Sequence, residues 1–160
     1  NDTVMGGKSD SGSFTIAGGY GILSGEVVDV PKLKAPGFIT AGSKSRWFKR
    51  DFPDVRHCRS LAITSKSTTD YDGYYISFGI AHPNWKSFAF GYKAPFKPST
   101  TEFSTIKIPF NEFSSYWDDK TGKTLRTCAS NRLYCPDKWT LKDMKTISLW
   151  GEGVKGKIDL

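Results

Sequence analysis

Between residues 74 and 80 every second side chain is large and apolar: Tyr74, Ile76, Phe78 and Ile80. Successive side chains on a strand point to opposite faces, so this spacing builds one apolar face that a second layer must cover. Phe88, Phe90 and Tyr92 repeat the period, and so does the stretch 103–108. Shorter strand-like runs occupy 13–17 around Phe14 and Ile16, 25–30, 37–41 after Pro36, 61–65, 147–150 and 157–160. Gly, Pro, Asp and Ser separate them, as turns require. No helical pattern lies between the runs, which removes strand–helix–strand folds and their nucleotide-binding crevices. One helical turn is expected near 140–144, with Thr140 as its cap. The fold class is therefore all-β, two antiparallel sheets packed as a sandwich with little helix. The expected organisation is one domain over 1–160, with no linker and no internal repeat.

Charge narrows the partners. The chain carries 23 Lys and Arg against 16 Asp and Glu, a net +7. These cations are spread evenly and form no basic arm, so a solvated basic surface is expected and nucleic acid is not. No stretch reaches the roughly 20 apolar residues of a membrane span. Asn1 opens on a polar, glycine-rich segment with no signal-like character.

Catalytic chemistry finds little support. His57 stands beside Cys58, but neighbours on a strand diverge, and His82-Pro83 reads as a turn. Gly6-Gly7 and Gly18-Gly19 lack the spacing of a phosphate loop and read as turn devices. Asp70 with Asp72, and Asp118-Asp119, are calcium-compatible acids, though solvated turn residues are the commoner case. No catalytic residue, cofactor or metal is assigned. Cys128 and Cys135 bracket a short loop with Asn131 suited to a turn. A disulfide there is favoured over free thiols, and zinc lacks ligands. Cys58 is expected to be free and buried. What remains is aromatic: Trp47, Tyr71, Tyr74, Tyr75, Trp85, Tyr116 and Trp117 lie beside polar groups, and two or three of them should be exposed. Arg46, Trp47, Trp85, Tyr116 and Trp117 form the expected binding set.

The opening Asn1-Asp2-Thr3-Val4-Met5-Gly6-Gly7-Lys8-Ser9 resembles the signature of the complex I intermediate-associated protein family. Leu23-Ser24-Gly25, Pro36-Gly37-Phe38, Ile108-Pro109-Phe110 with Phe113, and Met144-Lys145-Thr146-Ile147-Ser148-Leu149 agree in order. The resemblance implies a galactose-binding-like jelly roll and a non-enzymatic role in assembling or stabilising a respiratory or photosynthetic membrane complex. Subunits of that complex would be the partners. A carbohydrate-binding module of a secreted or lumenal protein is the alternative, with a glycan as ligand. In the opening motif, Val4 and Met5 are expected to insert into the core, Gly6 and Gly7 to turn the chain, and Asn1 and Asp2 to belong to the same structural unit. The 128–135 loop resembles an oxidising-compartment branch, such as the thylakoid lumen or intermembrane space. Both termini fall inside the family pattern, so residues beyond each end are expected.

Overall fold

In a computed structural model of the chain, the described residues are 10–31, 34–43, 52–79, 91–118 and 121–160. Ile80, Phe88 and Phe90 lie outside them. So do Asn1, Asp2, Val4, Met5, Gly6 and Gly7 of the opening motif.

Strands β1 (Asp10–Ala17) and β2 (Tyr20–Val27) form a hairpin. Its turn residues, Gly18 and Gly19, have φ of +60° and +85°. Two positive φ values are what a tight hairpin turn matching strand twist demands, so the glycine pair is a backbone device. Next come β3 (Asp29–Val30), β4 (Ala35–Pro36), β5 (Phe38–Gly42) and β6 (Ser60–Ser65). Then follow β7 (Tyr74–Gly79), β8 (Tyr92–Pro95) and β9 (Ser104–Pro109). The last two strands are β10 (Thr146–Glu152) and β11 (Gly156–Asp159). One sheet has the order β1-β2-β11 and another β5-β10-β7-β8; β3 pairs with β4, and β6 with β9. Every named strand pair is antiparallel.

The period-two face of β7 does what its spacing requires. Tyr74, Ile76 and Phe78 are buried in one core with Leu23, Val27, Ile39, Ile108 and Phe113. The Phe78 ring lies 4.8 Å from that of Phe113 and 5.7 Å from those of Tyr92 and Phe110, so aromatic contact adds to area burial at the centre. The intervening residues, Tyr75 and Ser77, face the other side of the sheet.

Two local expectations are corrected. The short helix α1 runs Lys138–Lys142 and is capped by Asp137, not Thr140. One Asp137 oxygen accepts from the N–H groups of Trp139 and Thr140, both at 2.8 Å, while the other accepts the Thr140 hydroxyl at 3.0 Å. Aspartate is the stronger cap, and it lies three residues earlier. The hydroxyl of Tyr92 donates to the same carboxylate at 2.7 Å. Burial, then the bond to Asp137, pushes the Tyr92 hydroxyl up to about 12. Cys58 is free but exposed, not buried. It follows the turn at Arg56-His57 and precedes β6, so no strand pleat turns it inward.

Candidate interaction surface

β10 and β8 bring Glu152 and Lys93 together on the face of the four-stranded sheet opposite the aromatic core. The Lys93 ammonium donates to Glu152 Oε1 at 2.5 Å, and their side chains are only 3% and 6% exposed. Three rings enclose the ammonium: Trp150 at 4.2 Å, Trp117 at 4.9 Å and Tyr75 at 5.8 Å. A cation over aromatic faces recovers part of the lost hydration, so the charge tolerates burial here. Burial pushes the Glu152 carboxyl above the ordinary carboxylate range, and Lys93 pulls it part of the way back. Burial, then the Glu152 charge, also raises the Tyr75 hydroxyl. Ser77 accepts from the Trp150 indole N–H at 2.8 Å, which fixes the largest ring of the enclosure.

The cover over this pair is the tight turn between Trp117 and Thr124, which form an antiparallel bridge. Asp118 organises it: its carbonyl accepts from Gly122 at 2.8 Å and its carboxylate from the Thr121 hydroxyl at 2.8 Å. Gly122, at φ +68°, lies against the Glu152 carboxylate so closely that a Cβ would fall 2.2 Å from Oε1. Backbone bonds between Lys93 and Ser114, at 2.9 and 3.0 Å, tie the start of this segment to β8. Trp117 therefore spends a ring face on Lys93, while Tyr116 stacks on Tyr134 at 4.9 Å and stays 44% exposed.

Tyr134 belongs to a 3-10 turn, Arg132–Tyr134, capped by the Asn131 side chain, which accepts from Leu133 N–H at 3.0 Å. A disulfide between Cys128 and Cys135 closes this loop, with Cα atoms 4.4 Å apart. The bond stands in place of a core, because the segment has no strand pairing of its own to hold it. Replacing both cysteines by serine is expected to lose about 2–3 kcal/mol, the loop-closure entropy of so short a ring. Urea unfolding with and without reductant measures it; an unchanged midpoint would mean that the loop is held by its other contacts.

The surface beside the staple is more apolar than an idle surface needs to be. Leu133 is 83% exposed and Trp139 75%, and Leu125, whose N–H bonds Tyr116, is also exposed. Arg126, Arg132, Lys138 and Lys142 alternate with these residues along the chain. Of the expected binding set, only Tyr116 and Trp117 are brought together in the described residues; Arg46, Trp47 and Trp85 lie outside them. Tyr71 and Tyr74 are among the aromatics that fill the core: Tyr71 donates to the Val154 carbonyl at 2.8 Å, and the Tyr74 hydroxyl meets Ser67 Oγ at 2.9 Å. Sequence reasoning missed Leu125, Leu133 and Trp139. Their signal was large apolar side chains in an aperiodic, cysteine-bounded stretch, where no pleat buries them.

Of the calcium-compatible acids, Asp118 shapes its own turn and Asp119 lies outside the described residues. Asp70 and Asp72 both accept from the Lys97 ammonium, each at 2.5 Å. No cluster of three metal-binding side chains occurs among the described residues.

A family model of complex I intermediate-associated protein 30 matches residues 1–133. The chain belongs to that family. No curated protein and no solved structure matches it. The family is one of complex I assembly, which agrees with the role implied by the opening motif. The matched span ends inside the disulfide loop, so the staple joins the family body to the part of the chain that follows it. A disulfide also belongs to an oxidising environment, where such bonds persist.

Proposed function

We propose that this chain is a non-catalytic binding module that assembles or stabilises a multi-subunit membrane complex of a respiratory or photosynthetic organelle through direct protein contacts. Its setting would be the intermembrane space or the thylakoid lumen. The observation that carries this reading is the exposure of Tyr116, Leu133 and Trp139, with Leu133 inside the disulfide loop and Tyr116 stacked on that loop's Tyr134. Tryptophan, tyrosine and arginine are the residue types that dominate interface energies, which fits Trp139, Tyr116 and the arginines of this segment, while Leu133 adds apolar area. The segment's basic residues suit an acidic partner surface, with an attraction that weakens as salt rises. Arg46, Trp47, Trp85 and Trp117 extend the proposed contact set. Family membership supports the assembly role.

Trp139→Ala and Leu133→Ser sit on the surface and should leave the unfolding midpoint unchanged. Each hot-spot truncation of about 2 kcal/mol weakens association roughly 30-fold. Native gel electrophoresis of solubilised organelle membranes should therefore show the variants released from the high-mass complex. Undiminished association of both, together with retention of the parent chain on a polysaccharide column, would shift the assignment to a carbohydrate-binding module.

A further inference from the structure

The stretch from Lys123 to Lys142 holds five cations, Lys123, Arg126, Arg132, Lys138 and Lys142, and one acid, Asp137. Five against one leaves +4 of the chain's +7 on these twenty residues, so more than half of the net charge stands on an eighth of the length. The acid is spent inside the fold, where its carboxylate caps α1 and accepts the Tyr92 hydroxyl. Lys123, Arg126, Arg132 and Lys138 are exposed, and none of them makes an ion pair among the described residues. Lys142 is half-buried and leans over the Trp139 ring at 5.8 Å.

Long-range bonds gather these positions at one corner. The Tyr116 carbonyl accepts from the N–H groups of Leu125 at 3.0 Å and Arg126 at 3.4 Å. The Ser115 N–H donates to the Tyr134 carbonyl at 3.2 Å, and the disulfide ties Cys128 to Cys135. Lys138 opens α1 three residues past the staple. The four exposed cations thus come from different turns, and each charge ends a long side chain that can swing. An acidic cluster on a protein would have to match all four positions at once. A headgroup layer is a fluid sheet of anions and adapts to them. Leu125, 54% exposed, stands between Lys123 and Arg126 and adds an apolar contact of the kind that the headgroup boundary takes up.

From these features we infer that this corner docks on the anionic headgroups of a membrane surface. Lys123, Arg126, Arg132 and Lys138 meet the headgroups, and Leu125 enters their boundary. The inference rests on the reading above for its setting: the partner complex lies in a membrane, and the acidic surface that the cations meet is the lipid around it. Each cation near such a surface strengthens binding roughly 5-fold, so the attachment is reversible and weakens as salt rises.

The probe is flotation of the intact, disulfide-bonded chain with phosphatidylcholine vesicles that contain or lack phosphatidylglycerol. The chain should float with the anionic vesicles at low salt, come off as salt is raised, and ignore the neutral ones. Arg126→Ala with Arg132→Ala should weaken binding roughly 30-fold, while the unfolding midpoint stays in place because both side chains are exposed. Lys107→Ala with Lys157→Ala removes the same charge from exposed positions on β9 and β11 and should weaken binding far less, since screening confines the attraction to charges close to the lipid. No flotation with either vesicle, equal flotation with both, or equal losses from the two double variants would overturn the inference. So would an arginine variant that leaves the detergent-solubilised complex but binds vesicles as before, which would give these cations to a protein surface. If vesicle binding is absent while Trp139→Ala and Leu133→Ser still leave the native complex, this inference falls and the proposed function stands. If vesicle binding holds while both of those variants stay in the complex, the protein-contact reading falls and the membrane surface remains.

Discussion

Lys93→Met should cost about 3–5 kcal/mol at neutral pH, because it leaves the buried Glu152 carboxylate without its counter-charge. The 2.5 Å contact and the near-complete enclosure of both side chains place this pair far from the surface case. The loss should also depend on pH in a defined direction. Burial already raises the Glu152 carboxyl, and removing the ammonium takes away the opposing pull. Folded Lys93→Met would then hold a proton that the unfolded chain releases. Stability falls with rising pH between the ordinary carboxylate pKa and the raised folded value, so the deficit is smallest on the acid side of that window. The double change Lys93→Met with Glu152→Leu should recover most of the loss, since apolar residues of similar size replace buried pairs well. Urea unfolding across a pH series measures all three. A loss below about 1 kcal/mol, typical of exposed pairs, would mean that water reaches this one.

Phe78→Ala should destabilise by a similar amount, about 3–5 kcal/mol, for a different reason. Its ring is fully buried against Phe110, Phe113 and Tyr92, so truncation loses transfer energy and leaves a cavity that three rigid rings cannot close. This loss should be nearly independent of pH, which separates it from the Lys93 effect on the same apparatus. Phe78→Leu keeps most of the volume and should lose clearly less. Equal losses for the two variants would mean that ring geometry, and not filled space, dominates the centre of the core.

These two sites differ in how far the sequence revealed them. Phe78 was legible because its period is two and its neighbours on that face are apolar; pattern alone assigns such a residue inward. Lys93 and Glu152 stand 59 residues apart, each in a strand with no local sign of the other. Single-sequence reasoning places both on the surface, where lysine and glutamate usually lie. The helix near 140 was found but shifted, because a capping residue shows its rank only when it is seen which side chain reaches the free N–H groups. Cys58 went the other way. Cysteine is commonly buried, yet burial belongs to a position in the fold, and a turn before β6 gave it none.

The all-β class, most strand positions, the staple around 128–135 and the family were legible without coordinates, since all of these depend on spacing, composition or a contiguous motif. Which large side chains make internal contacts and which stay outside was set by the fold. Trp117 and Tyr75 turn toward a buried ammonium, Tyr71 and Tyr74 enter the core, and Leu133 and Trp139 are left outside. The physical reason is that a strand's alternation fixes two faces, but which face meets another layer depends on chain brought from far away. Residues such as Leu133 have no alternation to follow, so their exposure is set wholly by the loop that holds them.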